Sequence, residues 1–210
     1  TLEQRKYIMC DAGSGKYRLG LRTYIIGASC TSQSGFEPLI NIMNSVTEST
    51  QETSQFGILE GGNVLYVAKK DSPQAIRMIS WVGTKLPANA TAIGKALLSD
   101  LTDEQIRDLY RDGLPKLTEH TISDMDLLLG QIEQIRCGEI ATETEESTPQ
   151  MRCFAVPIRQ NGRVDAALSI SVPIFRYTDE KRVQICQCLR EAQQQIEQLV
   201  GLYNFELIKP

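Results

Sequence analysis

One segment constrains the fold of this chain more than any other. It runs Met151-Arg152-Cys153-Phe154-Ala155-Val156-Pro157-Ile158, then a turn signal at Asn161-Gly162, then Ala167-Leu168-Ser169-Ile170-Ser171. Both arms alternate with period two about the turn, which is the pattern of an antiparallel hairpin. One face carries Phe154, Val156, Ile158, Leu168, Ile170 and Val172, all large and apolar. The other carries Cys153, Ala155, Ala167, Ser169 and Ser171, all small, with a thiol and two hydroxyls that can hydrogen-bond. A sheet face paved with small polar side chains leaves a hollow, and we expect it to floor a small-molecule pocket. The competing reading is ordinary core, because Cys and Ser are both tolerated inside proteins.

The alternation also predicts a register. A two-residue loop at Asn161-Gly162 would set Cys153 opposite Ile170 and mix the faces. A three-residue loop, Gln160-Asn161-Gly162, sets Cys153 opposite Ser169 and Phe154 opposite Leu168. Gly162 is then expected in the left-handed region, forming a bulge.

At 210 residues the chain is long enough for one domain with a real core, or for a domain and an appendage. With 41% hydrophobic and 23% charged residues, its composition is that of an ordinary soluble protein. No apolar run nears the roughly 18 residues of a membrane span, and none reads as a signal peptide. Thr1–Lys6 reads like a helix entered partway, so the chain reads as a piece of a longer protein. Six cysteines, at 10, 30, 137, 153, 186 and 188, form no Cys-x-x-Cys pair, and the lone histidine, His120, has no evident ligand partner. Structural zinc is therefore disfavoured, and the pattern suits reduced thiols in a cytoplasm. Charge is uneven: residues 1–30 balance at +3 through Arg5, Lys6, Lys16, Arg18 and Arg22 against Glu3 and Asp11, while the whole chain is at −4. A basic amino end on an acidic body hints at nucleic-acid contact, and a chance cluster of solvated charges explains it equally.

Along the chain, Tyr7–Cys10 and Lys16–Leu19 read as short strands around a turn-rich loop. Helical spacing follows in Leu21, Tyr24, Ile25 and Ala28. Gly35 is expected to interrupt, and a second helix near Pro38 aligns Leu39, Ile42, Met43 and Val46. Gln55–Lys69 reads as a hairpin turning at Glu60-Gly61-Gly62-Asn63, and Arg77–Val82 as a third strand ending at Gly83. A short helix begins within Leu86–Ala96, its first turns lined by small residues. Thr102 and Gln105 form a capping box for a helix closed by Gly113, and Ser123 with Asp126 opens another closed by Gly138. The last helix starts after Thr178, with Val183, Cys186, Leu189, Ala192, Ile196 and Leu199 as its stripe. Strand pairs separated by helices predict an α+β class, an antiparallel sheet flanked by helices.

Few constellations carry chemistry. The helix start near Ala90–Leu98 offers free backbone amides for an anion, though its small residues would equally serve tight helix–sheet packing. The acidic run Glu139–Glu146 reads as a solvated loop, except that Glu143 precedes the strand bearing Cys153. Cys153 lacks an evident base, so a structural or ligand-contacting thiol is favoured over a nucleophile. No phosphate loop, dinucleotide fingerprint or metal-ligand spacing is present, and no cofactor is expected.

Three segments resemble the isocitrate-lyase-regulator (IclR) family of bacterial transcription factors. Lys16-Tyr17-Arg18-Leu19-Gly20 is similar to the end of that family's winged helix-turn-helix, where the wing runs into a linker helix. Leu86-Pro87-Ala88-Asn89-Ala90-Thr91-Ala92-Ile93-Gly94-Lys95-Ala96-Leu97-Leu98 is similar to its most recognisable stretch. Glu143 through Cys153, Pro157, Gly162 and Ala167–Ser171 resembles its carboxy-terminal signature. Two positions depart from the pattern: Asn89 stands where histidine is frequent, and Gln150, after Pro149, where glycine is frequent. The loop Ser147–Gln150 is accordingly expected to follow a different path.

The resemblance implies a GAF-like effector-binding domain over 36–210, preceded by a winged-helix remnant over 1–20 and a linker helix over 21–35. Carried over by position, the contacts to a small organic acid would be Ala92, Ile93, Glu143, Cys153, Ser169 and Ser171. Lys16 and Arg18 would touch DNA phosphate. It further implies operator DNA as partner of the full-length protein, a homodimer or homotetramer, and no membrane. Rival readings are a small enzyme using Cys153 with Glu143, and a GAF-like sensor with an output other than DNA binding.

Overall fold

A computed structural model describes residues 1–33 and 36–203, in two compact units, Thr1–Leu39 and Ile40–Pro210. Gly35, the expected interruption, lies outside the described residues.

The first unit opens with a turn that ends as helices end. Tyr7 N donates to Leu2 O at 2.9 Å and Lys6 N to Glu3 O at 2.8 Å, with Lys6 at φ 58°. These paired bonds around a left-handed residue make a Schellman motif. Strands β1 (Ile8–Cys10) and β2 (Tyr17–Leu19) then pair antiparallel, Met9 opposite Arg18. One oxygen of Asp11 organises the turn between them, accepting from Gly13 N at 3.1 Å, Ser14 N at 2.8 Å and Ser14 Oγ at 2.8 Å. Lys16 and Arg18 are exposed. Helix α1 (Leu21–Gln33) follows, and Leu21, Tyr24 and Ile25 of its expected stripe are exposed.

Helix α2 (Phe36–Thr50) crosses the division between the units. Leu39, Met43 and Val46 are buried, as their spacing predicts, while Ile42 is half-buried. The second unit is built on a six-stranded antiparallel sheet. Its strands are β3 (Thr53–Glu60), β4 (Asn63–Lys70), β5 (Lys85–Pro87), β6 (Ala141–Thr144), β7 (Met151–Gln160) and β8 (Arg163–Pro173), in the order β5-β4-β3-β8-β7-β6. Helices α3 (Ala92–Leu98), α4 (Asp103–Leu109), α5 (Met125–Arg136) and α6 (Asp179–Tyr203) complete it. The class is α+β, as expected.

The large apolar face of the β7–β8 hairpin is fully buried and meets α6. Gln193 Nε2 donates to Pro157 O at 2.7 Å, and Glu197 accepts from Arg159 N at 2.9 Å, which fixes the helix on the sheet. Burying each large side chain here contributes on the order of 1.5–3 kcal/mol. The expected stripe of α6 needs correction. Ile185, Leu189, Ala192, Ile196 and Val200 are buried, whereas Val183 is exposed and Cys186 and Leu199 are half-buried. Two stripes share Leu189, Ala192 and Ile196, and the one carrying the bulkier Ile185 faces the sheet.

The hairpin register also differs from expectation. Asn161 and Gly162 form a two-residue turn with φ 52° and 81°, both left-handed, which suits the right-handed twist of the strands. Gln160 pairs with Arg163, and Arg159 with Val164. Asp165 is then an extra residue on β8, so that Ile158 pairs with Ala166 and Cys153 with Ser171. The bulge, not a longer loop, keeps the faces separate. Gly162 is left-handed as expected, but Ser169 lies opposite Ala155 instead of Cys153.

The 53–70 hairpin turns at Gly61-Gly62 as predicted. Arg77–Val82, expected as a strand, is not one: the strand against β4 is Lys85–Pro87. Its period-two pattern has another cause, since Met78 and Ser80 point inward and Ile79 and Trp81 outward along an extended strap. The capping box at Thr102 and Gln105 is present. Helix α5 is capped one residue later than expected, by Asp124, which accepts from Asp126 N at 2.8 Å and Leu127 N at 3.2 Å. Gly138 ends α5 at φ 101° as expected, whereas α4 already ends at Leu109 with Tyr110 as its cap, and Gly113, also at φ 101°, closes the turn after it.

Candidate ligand site

The small face divides into two halves. Ala155 and Ala167 join Val64, Tyr66, Ala92, Ile93 and Ala96 in one apolar cluster, where absent side-chain bulk lets α3 lie close on the sheet. Gly94 sets the approach of α3 to the short helix before it. A Cβ there would stand 2.2 Å from Ala88 O, so only glycine fits the turn from the preceding short helix into α3. The packing reading of these small residues thus holds for this half.

The other half is polar. Cys153 Sγ lies 3.3 Å from Ser171 Oγ, Ser171 Oγ donates to Gln55 Oε1 at 3.1 Å, and Gln55 Nε2 donates to Ser80 Oγ at 2.6 Å. Ser169 Oγ reaches Gln55 O at 3.5 Å. Gln55 belongs here because β3 pairs with β8, Thr53 opposite Ser171 and Gln55 opposite Ser169. Lys69, beside Gln55 in β4, holds the strap by donating to Ser80 O at 2.8 Å and Met78 O at 3.4 Å, and it pairs with Asp71 at 2.7 Å. The strap 77–82 therefore covers the polar half through side-chain bonds.

At the far edge, Glu143 pairs in register with Cys153 and is 2% exposed. Its carboxyl accepts from Glu146 N at 2.8 Å and Ser147 Oγ at 3.2 Å. Burial drives its pKa up, against the lowering effect of the Cys153 and Glu146 hydrogen bonds. Lys95 of α3 is completely buried and pairs with Glu146 at 2.6 Å. Burial still lowers the Lys95 pKa, since the Glu146 and Glu143 charges only partly offset desolvation. The Cys153 thiol is pushed well above its ordinary range by burial first and by Glu143 second, so it stays protonated and a poor nucleophile. Tyr66, buried beside them, is likewise raised by burial.

Of the six expected contacts, Glu143, Cys153, Ser169 and Ser171 share one polar patch, and Ala92 and Ile93 begin α3 in the adjoining apolar cluster. Thr91 caps α3 by accepting from Gly94 N at 3.0 Å. The expectation of a solvated acidic loop fails at Glu146, which is buried because Lys95 supplies its counter-charge. Sequence reading missed Gln55, Ser80, Lys95 and Glu146. Gln55 and Ser80 lie far from the hairpin in sequence, and only the β3–β8 pairing joins them. A lone lysine on an otherwise apolar helix was the available signal for Lys95, though its partner lies 51 residues away. Gln150 adopts φ 61° and is tied to Glu145 Oε1 through its amide N at 2.7 Å. The position is left-handed, which is why glycine suits it.

A separate cleft of about 520 Å³ lies among Gln51, Glu52, Arg176 and Lys181. Arg176 clamps Glu52 with two bonds of 2.8 and 2.7 Å, and Lys181 donates to Thr50 O.

The site is thus a covered polar patch between an antiparallel sheet and its strap, with helices on both faces of the sheet. Comparison with known proteins makes this specific. Residues 36–198 match the family model described as bacterial transcriptional regulator IclR C-terminal. The HTH-type transcriptional regulator KdgR of Escherichia coli K12 is 30% identical over 98% of this chain and 79% of its own. A solved IclR transcriptional regulator from Alicyclobacillus acidocaldarius superposes with TM-score 0.87 at 22% identity, over 95% of this chain and 82% of that one. An IclR homolog from Microbacterium hydrocarbonoxydans, complexed with 4-hydroxybenzoate, superposes with TM-score 0.80 at 24% identity, over 94% of this chain and 80% of that one. The chain belongs to the IclR family of transcriptional regulators and contains its effector-binding C-terminal domain.

Proposed function

We propose that the polar patch of Glu143, Cys153, Ser169 and Ser171, with the Ala92 and Ile93 amides at its rim, binds a small organic acid that changes the regulator's hold on operator DNA. The observation that carries this reading is the buried Cys153–Ser171–Gln55–Ser80 chain, polar groups gathered under a strap where a stable core would place apolar ones. The complex of the Microbacterium homolog with 4-hydroxybenzoate supports an acid as the ligand class. Residues 1–20 are read as the end of a winged helix-turn-helix and 21–35 as its linker helix. Lys16 and Arg18, exposed on the β1–β2 hairpin, would contact phosphate, contributing affinity and not sequence choice. The protein acts as a homodimer or homotetramer in the cytoplasm and performs no chemistry on its ligand. Among the described residues no helix is long and apolar enough to cross a membrane.

A thermal-shift screen of small carboxylic acids tests the ligand class. A true ligand at 100 times its dissociation constant adds about 2.7 kcal/mol to stability. Mass spectrometry after incubation separates sensor from enzyme: a covalent adduct on Cys153, or product in solution, would overturn the sensor reading.

A further inference from the structure

The cluster at the edge of the polar patch has one carboxyl too many for its charge. Facing Glu143 among the described residues are Lys95 from α3, Glu146 from the loop after β6, Cys153 from β7 and Tyr66 from β4. Two buried carboxyls therefore share one buried ammonium, and the 2.6 Å contact assigns that ammonium to Glu146. If Glu143 were also ionised, the cluster would hold an unmatched negative charge at 2% exposure, the arrangement that desolvation penalises most.

Proton counting along the neighbouring chain points the same way. Gln55 Oε1 can only accept, so Ser171 spends its hydroxyl proton there, and Gln55 Nε2 donates onward to Ser80. The 3.3 Å contact between Cys153 and Ser171 then needs the thiol proton. With the thiol proton facing Ser171, Cys153 is left as an acceptor toward Glu143, a place that a neutral carboxyl can fill by donating. A neutral Glu143 thus completes a single polarity, Glu143 to Cys153 to Ser171 to Gln55 to Ser80. The opposite polarity requires the Gln55 amide to turn over, placing Nε2 on Ser171. The bonds from Glu146 N and Ser147 Oγ are compatible with a neutral carboxyl, whose oxygens retain lone pairs to accept them.

We propose that Glu143 holds a proton in the ligand-free protein at neutral pH, so that the patch offers an acidic ligand a hydrogen-bond donor in place of a second negative charge. The ligand half of this statement rests on the effector reading above; the proton half stands on the free protein alone. It follows that the anion of an acid enters without like-charge repulsion from Glu143, although among the described residues no free cation lines the patch: Lys69 and Lys95 are paired with Asp71 and Glu146.

Side-chain carbon NMR of the ligand-free protein, labelled with ¹³C at glutamate Cδ, decides the matter. At pH 7 one glutamate resonance should sit at the protonated-carboxyl position and vanish in Glu143→Gln. Should that variant not fold, through-bond correlations assign the resonance in the parent. The Gln55 side-chain amide protons should show NOEs to Ser80 and not to Ser171. A Glu143 resonance at the carboxylate position at pH 7, or Gln55 NOEs reversed onto Ser171, overturns the proposal. The acid screen is scored separately. A protonated Glu143 in a protein that binds no acid would keep the proton and remove the effector reading, and a bound acid beside an ionised Glu143 would do the reverse.

Discussion

Ser169 and Ser171 sit on adjoining register positions of one strand, both buried, and their hydroxyls reach Gln55. Valine has nearly the same shape and cannot hydrogen-bond, so Ser169→Val should cost a bound acid on the order of 1–3 kcal/mol, about 5- to 150-fold in dissociation constant. Calorimetric titration with an acid found by the screen checks this, and unchanged affinity in both Ser169→Val and Ser171→Val would show the site to be misplaced. Glu143 yields a prediction of a different kind. Its pKa is raised by burial in the folded protein, so between the unfolded and folded values the folded state binds more protons. Stability contributed there is present at low pH and is lost as pH rises through the folded pKa. Glu143→Gln removes that loss, so its stability relative to the parent should climb as pH rises from the acid side through this window. Urea melts of both proteins at several pH values measure the difference, and a flat difference would exclude the raised pKa. At this scale the sequence was a good guide to Cys153, Ser169, Ser171 and Glu143, because alternation within one hairpin and its flank puts them on a common face. Gln55 and Lys95 were hidden, since their roles come from partners 116 and 51 residues away along the chain.

Elements were readable where a local rule decides them. The capping box at Thr102, the glycine end of α5, and the Gly61-Gly62 turn each need only a few neighbouring residues. They failed where a choice is settled by tertiary contact: the phase of α6, the bulge at Asp165, and the strap that alternates like a strand without pairing as one. The start of α3 and the loop before β7 give two opposed tests of backbone demand. In Gly94→Ala the added methyl meets the Ala88 carbonyl at 2.2 Å, a backbone atom that cannot swing aside. The expected loss is about 3 kcal/mol or more, seen as a lowered urea midpoint or failure to fold. Gln150→Gly acts in the other direction, releasing a left-handed non-glycine residue at a position where a side chain costs roughly 1 kcal/mol. It gives up one side-chain bond of 3.2 Å to Glu145 and some chain entropy, so a small net gain, under about 1 kcal/mol, is expected in the same melts. A clear destabilisation by Gln150→Gly would mean that the Glu145 tie matters more than the backbone strain.

For the whole molecule, the decisive fact is that α2 spans the boundary between Thr1–Leu39 and Ile40–Pro210. Any signal carried along the chain from the polar patch toward the basic amino end passes through it. Its buried positions Met43 and Val46 belong to the second unit, where Ser54 Oγ donates to Met43 O at 3.3 Å and meets Thr47 Oγ1 at 2.8 Å. Those contacts fix the helix to β3, the strand that also carries Gln55. A displacement of β3 on ligand binding is therefore passed to α2 directly. Ile42, half-buried next to this seat, is the position to perturb, because a charge there disturbs packing without opening the core. In the full-length regulator, Ile42→Glu should leave acid binding by the second unit nearly unchanged and reduce the effect of the acid on operator affinity. Coupling is one free energy shared by both ligands, so it must appear equally in acid affinity with and without operator and in operator affinity with and without acid. A folded Ile42→Glu protein with undiminished coupling in both measurements would place the route outside α2, in contacts between subunits.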